Sequence, residues 1–139
     1  MYHKRIVCDI DDTISFCDDR DWENAKPNLP VIQKLKSMYD DGWEIYLYTA
    51  RGSLSAKTPE DAEKKYSDII TKWMDTHKVP FHKMMFGKPL ATYYVDDKAI
   101  TPDNFASLLY DIARRFNKAL ICPENNAYGY TVLSKLGDL

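Results

Sequence analysis

Cysteine is scarce in this chain: Cys8, Cys17 and Cys122 are the whole supply in 139 residues, and they stand far apart. That spacing excludes a disulfide framework and a zinc-binding pattern, and a reduced, cytoplasmic protein is the expectation. Glycines are few, at five. No apolar run is long enough for a membrane-spanning helix. Met1-Tyr2-His3-Lys4-Arg5 leads straight into a strand-like segment, with no signal-peptide pattern. Charge of one sign is lacking as well: the net charge is −2, so no whole-molecule field draws in nucleic acid or an anionic membrane. Repeats, low-complexity stretches and domain-splitting linkers are missing. What remains is a globular composition, 45% hydrophobic and 29% charged, of a length that makes one domain with a sizeable core.

The chain is organised around its first apolar stretch. Ile6-Val7-Cys8 is β-prone with no polar alternation, as in a strand buried on both faces of a parallel sheet. Asp9, Asp11 and Asp12 follow at once. Carboxylates this close raise one another's pKa unless a cation sits among them. Hard oxygen donors in such a cluster suit Mg²⁺. The C-terminal end of a strand in an open α/β sheet is where ligands bind.

Beyond this point the pattern alternates. Residues 14–22 read as a short hairpin or flap, on which Trp22 is packing or a wall of a substrate pocket. Pro30 to Asp41 carries Val31, Ile32, Leu35, Met38 and Tyr39 at helical spacing, and Gly42 suits the left-handed position that ends a helix. Residues 43–48 form a second strand ending in Thr49-Ala50-Arg51-Gly52. A right-handed crossover then makes a parallel pair and sets Thr49 and Arg51 at the sheet edge of Asp9. Thr58-Pro59-Glu60-Asp61 opens a helix that runs to about His77, with Ala62, Tyr66, Ile69, Ile70, Trp73 and His77 on one face. Its charged face shows no basic stripe. Lys83 to Phe86 is a third strand, followed by Gly87-Lys88-Pro89. Thr92-Tyr93-Tyr94-Val95 is a fourth, ending in Asp96-Asp97. Thr101-Pro102-Asp103 starts a helix to about Asn117, Ala119 to Cys122 is a fifth strand, and the tail follows. His77 and His82 sit near element ends and read as surface or core residues.

This alternation predicts an α/β fold: a three-layer α/β/α sandwich with a mainly parallel, Rossmann-like sheet. Residues 1–122 form the domain and 123–139 a tail packed on it or extending it. Positions 14–48 and 52–87 are filled by the elements just named, so neither gap holds a large cap domain. An open site of that kind admits a bulky substrate or is closed by a partner chain.

Asp9-x-Asp11-x-Thr13 after an apolar strand, then Thr49, Lys88 and Asp96-Asp97 at later strand ends, resembles the four motifs of the haloacid dehalogenase superfamily of phosphotransferases. Many members carry Gly where this chain has Asp12. The resemblance implies Asp9 as nucleophile and Asp11 as general acid and base. It implies Thr49 and Lys88 as groups that bind the phosphoryl oxygens, with Ala50 and Arg51 beside them. Mg²⁺ would be held by Asp9, Asp11, Asp96 and Asp97. Arg51 either clamps a substrate phosphate or pairs with Asp12. The implied reaction is Mg²⁺-dependent phosphomonoester hydrolysis through an aspartyl-phosphate.

Residues 4–105, including Thr49-Ala50-Arg51, Val79-Pro80-Phe81, Gly87-Lys88-Pro89 and Tyr94-Val95-Asp96-Asp97-Lys98, are similar to the small phosphatases of capsular polysaccharide biosynthesis. That implies a small phosphorylated substrate, a sugar phosphate or glycan precursor. The layout also resembles the phosphatase domain of polynucleotide kinases, which implies a nucleic-acid 3′-end; the lack of a basic, aromatic-interleaved surface stands against it. Residues 105–136, with Glu124, weakly resemble part of the nuclease domain of phage large terminase subunits, and the rest of that nuclease is missing. A binding module that has kept the fold without catalysis is the remaining alternative; the complete acidic set argues against it.

Overall fold

The computed structural model describes residues 4–108. By its contacts the chain divides after Ala106, and the unit Met1–Ala106 carries the elements that follow. The predicted extension of the last helix to Asn117, the strand Ala119 to Cys122 and the tail 123–139 lie outside the described residues.

Three parallel strands form the sheet: β1 (Arg5–Cys8), β4 (Glu44–Thr49) and β5 (Lys83–Phe86), in the order β1-β4-β5. Ile6 lies beside Ile45 and Cys8 beside Leu47; Leu47 lies beside Met84 and Thr49 beside Phe86. β2 (Ser15–Phe16) and β3 (Lys26–Pro27) pair antiparallel as the predicted flap, with a 3-10 turn at Trp22–Asn24 between them. The helices are α1 (Leu29–Asp40), α2 (Pro59–Thr76) and the start of α3 (Pro102–Ala106). The expected α/β class with a parallel sheet is borne out.

Local chemistry sets the helix ends. α2 begins as its sequence predicts: the Asp61 N–H donates to Thr58 Oγ1 at 3.1 Å, with Pro59 in the first turn. At the end of α1, Gly42 takes φ +91°, its N–H reaches the Tyr39 carbonyl at 3.0 Å, and the Trp43 N–H reaches Met38 at 2.9 Å. This is the paired bonding of a Schellman ending. Lys78 plays the same part after α2 at φ +58°. Asn28 precedes α1 but makes no side-chain cap; its side-chain N–H donates to the Thr13 carbonyl at 2.9 Å.

Among the described residues the core lies on one face of the sheet. Cys8, Ile45, Leu47 and Thr49 are buried there, with Val31, Ile32, Leu35 and Met38 of α1 and Ala62, Tyr66, Ile70, Trp73 and Met74 of α2. Each fully buried aliphatic side chain contributes about 1.5–3 kcal/mol. Right-handed crossovers put α1 and α2 on this same face. Arg5, Val7, Tyr46 and Tyr48 point the other way and are exposed or half-buried.

Two expectations need correction. β1 is not buried on both faces: Val7 is 57% exposed. Among the described residues β1 pairs with β4 alone and stands at the edge of the sheet they form. Thr92 to Val95 forms no strand, and every residue from Leu90 to Thr101 is exposed. The physical reason is length: only residues 87–91 link it to β5, whereas a crossover between parallel strands takes about a dozen residues.

Candidate active site

The site is built at the C-terminal ends of β1 and β4. After β1 the chain turns sharply around one carbonyl. The N–H groups of Thr13, Ile14 and Ser15 all reach the Ile10 oxygen, at 3.2, 2.9 and 3.2 Å. Ile10 and Ile14, 1% and 0% exposed, pin the turn into the core. From the other side Asn28 donates its backbone N–H to the Ile14 carbonyl at 2.7 Å. Asp12 takes φ +63°, at the position where the resembling family often has Gly. Aspartate tolerates this left-handed conformation better than most residues.

This turn presents Asp9 at the strand end. Lys88 Nζ lies 3.5 Å from Asp9 Oδ1. Thr13 Oγ1 donates to Asp9 Oδ2 at 3.4 Å. Burial pushes the Asp9 carboxyl above its usual range; the Lys88 ammonium and the Ile10 backbone N–H oppose that rise, and Asp11 adds to it. Lys88 is in turn fixed by its own backbone, whose N–H donates to the Thr49 carbonyl at 3.2 Å. Its ammonium also sits 4.3 Å from the centre of the Tyr94 ring.

Thr49 is completely buried at the end of β4, and its Oγ1 accepts the Arg51 backbone N–H at 2.9 Å. The hydroxyl keeps its own proton, enclosed with the rest of the side chain. Ala50 is half-buried between Thr49 and Arg51. Arg51 is buried and gripped from two sides. It donates to Asp11 through Nη2 at 2.6 Å and Nε at 3.3 Å, and its guanidinium lies 4.4 Å from the Trp22 ring centre. Arg51 therefore pairs with Asp11, not with Asp12. Trp22 of the flap also packs edge-on against Tyr66 with ring centres 5.2 Å apart, so it is held between the site and α2. The Trp73 indole N–H anchors the same flap on the Ala25 carbonyl at 2.9 Å.

Asp9, Asp11, Thr49, Ala50, Arg51 and Lys88 thus come together. Asp96 and Asp97 do not join them. Both are exposed, Asp96 Oδ1 accepts the Lys98 N–H at 2.9 Å, and Asp97 pairs with Lys98 Nζ at 3.0 Å. That hydrogen bond from Lys98, with a second from Asp96, holds the Asp97 carboxyl below its usual range. Among the described residues no three His, Cys, Asp or Glu side chains gather as a metal site. The donor set expected for Mg²⁺ is therefore not complete within the described part of one chain.

The remaining candidates are structural. Burial, with the Asp9 charge beside it, pushes the Cys8 thiol up to about 12, which leaves it unreactive. His77 stacks on Trp73, and His82 Nδ1 accepts the Ile45 N–H at 3.0 Å. A groove lined by Tyr39, Met74, Lys78 and Pro80 sits at the C-terminal ends of α1 and α2. Helices in such crossovers run opposite to the strands, so this groove lies at the far edge of the sheet from Asp9. Sequence reasoning passed over three supports of the site: Thr13 on Asp9, Asn28 under the turn, and the Tyr94 ring against Lys88. Only Thr13 carried a sequence signal, as the last position of the first motif.

No family model and no curated protein matches this sequence. Among solved structures, a target protein from Vibrio cholerae is similar over 95% of this chain and 98% of its own, with 27% identity and a TM-score of 0.70. That likeness agrees with the α/β fold. Two structures of a Pnkp1/Rnl/Hen1 complex, one described as an RNA repair complex, match at 20% and 16% identity with TM-scores of 0.48 and 0.46. They cover 74% and 94% of this chain but only 34% and 39% of those chains. At such scores the likeness decides nothing about chemistry. No helix among the described residues is long and apolar enough to cross a membrane.

Proposed function

We propose that this chain is a phosphomonoester hydrolase that uses Asp9 as its nucleophile. The observation that carries this reading is the Asp9 carboxylate at a strand end, with the Lys88 ammonium 3.5 Å away and the Thr49 hydroxyl on the next strand end. A carboxylate faced by a cation and a hydrogen-bond donor can receive a dianionic phosphoryl group.

An Asp9 oxygen attacks phosphorus in line, and the bond from phosphorus to the ester oxygen breaks. The departing oxygen takes a proton from Asp11. Water then attacks the aspartyl-phosphate at phosphorus and gives Asp11 its proton, which frees inorganic phosphate and restores Asp9. Lys88 and Thr49 stabilise the charge on the transferring oxygens. Arg51 is a positioning residue: it holds both Asp11 oxygens, and one of those bonds must open for Asp11 to carry a proton. Magnesium is the proposed cofactor, held by Asp9, the Asp11 carbonyl and Asp96; it would neutralise charge between nucleophile and phosphate. Within one chain Asp96 does not gather with Asp9 and Asp11.

A phosphorylated sugar or glycan precursor is the proposed substrate, and a capless, open site is compatible with its bulk. The test is phosphate release with Mg²⁺ from sugar phosphates, nucleotides and 3′-phosphorylated oligonucleotides, with Asp9→Asn as the blank. Turnover of a sugar phosphate that disappears in Asp9→Asn supports the reading. Preference for oligonucleotide ends moves the substrate to nucleic acid. Absence of Asp9-dependent turnover on every substrate sinks the enzyme and leaves the binding module.

A further inference from the structure

β1 has the sequence of a central strand and, among the described residues, the position of an edge strand. Ile6-Val7-Cys8 is an uninterrupted apolar run of the kind found between two neighbours in a parallel sheet. Edge strands are ordinarily blunted by charge, proline or a bulge. Here, among the described residues, one side of β1 is hydrogen-bonded to β4 and the other has no strand beside it.

The same chain carries a strand-like segment with nowhere to go. Thr92-Tyr93-Tyr94-Val95 is β-branched and aromatic throughout. Tyr93, Tyr94 and Val95 are 81%, 50% and 98% exposed; Tyr94 rests on Lys88 and Pro89 of its own chain, contacts that pairing with another strand would give up. Immediately after it come Asp96 and Asp97, the carboxylates absent from the site.

The two features match in length and kind. β1 is four residues followed by Asp9; the segment is four residues followed by Asp96. Pairing them parallel, with Val95 level with Cys8, sets Asp96 beside Asp9 at a strand spacing of about 4.8 Å. The chain cannot make this pairing with itself. Phe86 is level with Thr49, two residues beyond Leu47 and Cys8. Thr92 would have to lie level with Arg5, about 16 Å down the sheet and about 14 Å across it, on the far side of β1. The straight line is about 22 Å and runs through β4 and β1 themselves, and an extended link from Phe86 to Thr92 reaches only about 20–22 Å. Any path around the sheet is longer.

We propose that Thr92–Val95 pairs with β1 of a second copy of this chain, so that each active site combines Asp9, Asp11, Thr49 and Lys88 of one copy with Asp96 of the other. The exchange is reciprocal and two-fold, which closes the assembly as a dimer and covers the side of each β1 that no described strand occupies. The pairing rests on the reading of Asp9 and Asp96 as one site; the exposed segment and the open edge stand apart from any activity.

The experiment has a structural arm and a functional arm. Sedimentation of the full-length protein should give the mass of two chains. A flexible insert of about twelve residues between Leu90 and Ala91 lets the segment reach its own β1 and should halve that mass. A wild-type monomer, or a dimer that persists with the insert, overturns the proposal. In the functional arm, differently tagged Asp9→Asn and Asp96→Asn chains are co-expressed and assayed on p-nitrophenyl phosphate with Mg²⁺. Each variant alone should be inactive. The mixture should recover about a quarter of wild-type turnover, because half of the dimers are mixed and each holds one intact site. No recovery beside an active wild type overturns the exchange. If the wild type itself turns over nothing, the phosphatase reading has failed, and the mass of the insert variant still decides the exchange.

Discussion

Replacing Arg51 with Met tests the centre of the site, because it keeps most of the side-chain volume and removes the charge. The Arg51 side chain is 4% exposed and that of Asp11 36%. Removing one partner of a fully buried ion pair costs about 3–5 kcal/mol. Asp11 can be partly rehydrated, which lowers that loss to about 2 kcal/mol. The guanidinium also leaves the face of Trp22, for about 1 kcal/mol more. The expected total is about 3 kcal/mol, which for a chain of this size lowers the melting midpoint by about 10 °C. Arg51→Lys should recover only part, because an ammonium cannot replace the fork that reaches two oxygens. Urea and thermal melts check the magnitude, and a double-mutant cycle with Asp11→Asn isolates the pair. A variant within about 2 °C of wild type would mean that the pair is open in solution. A rise in KM with unchanged stability would mean that Arg51 binds phosphate and does not hold Asp11.

Lys88→Met should move the acid limb of the kcat/KM profile to higher pH, because the Lys88 charge opposes the upward push of burial on Asp9; an unmoved limb would refute the contact. Asp9→Asn should be inactive yet more stable than wild type at neutral pH. The Asp9 carboxyl is raised in the folded state, so its contribution is present below its ordinary pKa and lost as pH rises through the folded value. The gap should close in urea melts toward about pH 3, and equal stability at pH 7 would contradict the buried charge. Gly52→Ala should lose about 2 kcal/mol in the same melts, since Gly52 sits at φ +91° and a Cβ there would stand 2.7 Å from the Ala62 Cβ. Asp12→Gly should leave stability unchanged or higher, while Asp12→Val loses about 1–2 kcal/mol at the left-handed turn; equal melts for the two would show that the turn does not hold φ +63°.

Where local chemistry decides, the sequence is a good guide. Thr58-Pro59-Glu60-Asp61 caps α2, Gly42 ends α1, and the strand at 83–86 lies where its residues place it. Asp9, Thr49 and Lys88 come together because each stands at or just beyond the C-terminal end of a strand of one parallel sheet, a consequence of order and handedness alone. The Arg51–Asp11 pair could not be read this way. Two charged residues forty positions apart share many conceivable partners, and the choice depends on a turn at Asp12 and a flap carrying Trp22.

The fate of Thr92–Val95 is a different kind of failure. Its composition is right for a strand, and composition is local, whereas pairing is not. A segment joins a parallel sheet only if the chain before it is long enough to return to the starting edge, and residues 87–91 are too few. The short link therefore changes what the sequence means. The same Asp96 that would complete a site in a chain with a longer connection is exposed in this one, and the proposed exchange presents it to a neighbour. On the proposed exchange, the site among the described residues gains its last carboxylate from a second chain, and association of two chains becomes a condition of the proposed catalysis. It follows that activity should fall faster than protein concentration on dilution below the dimer's Kd, whereas a site made within one chain would lose turnover only in proportion.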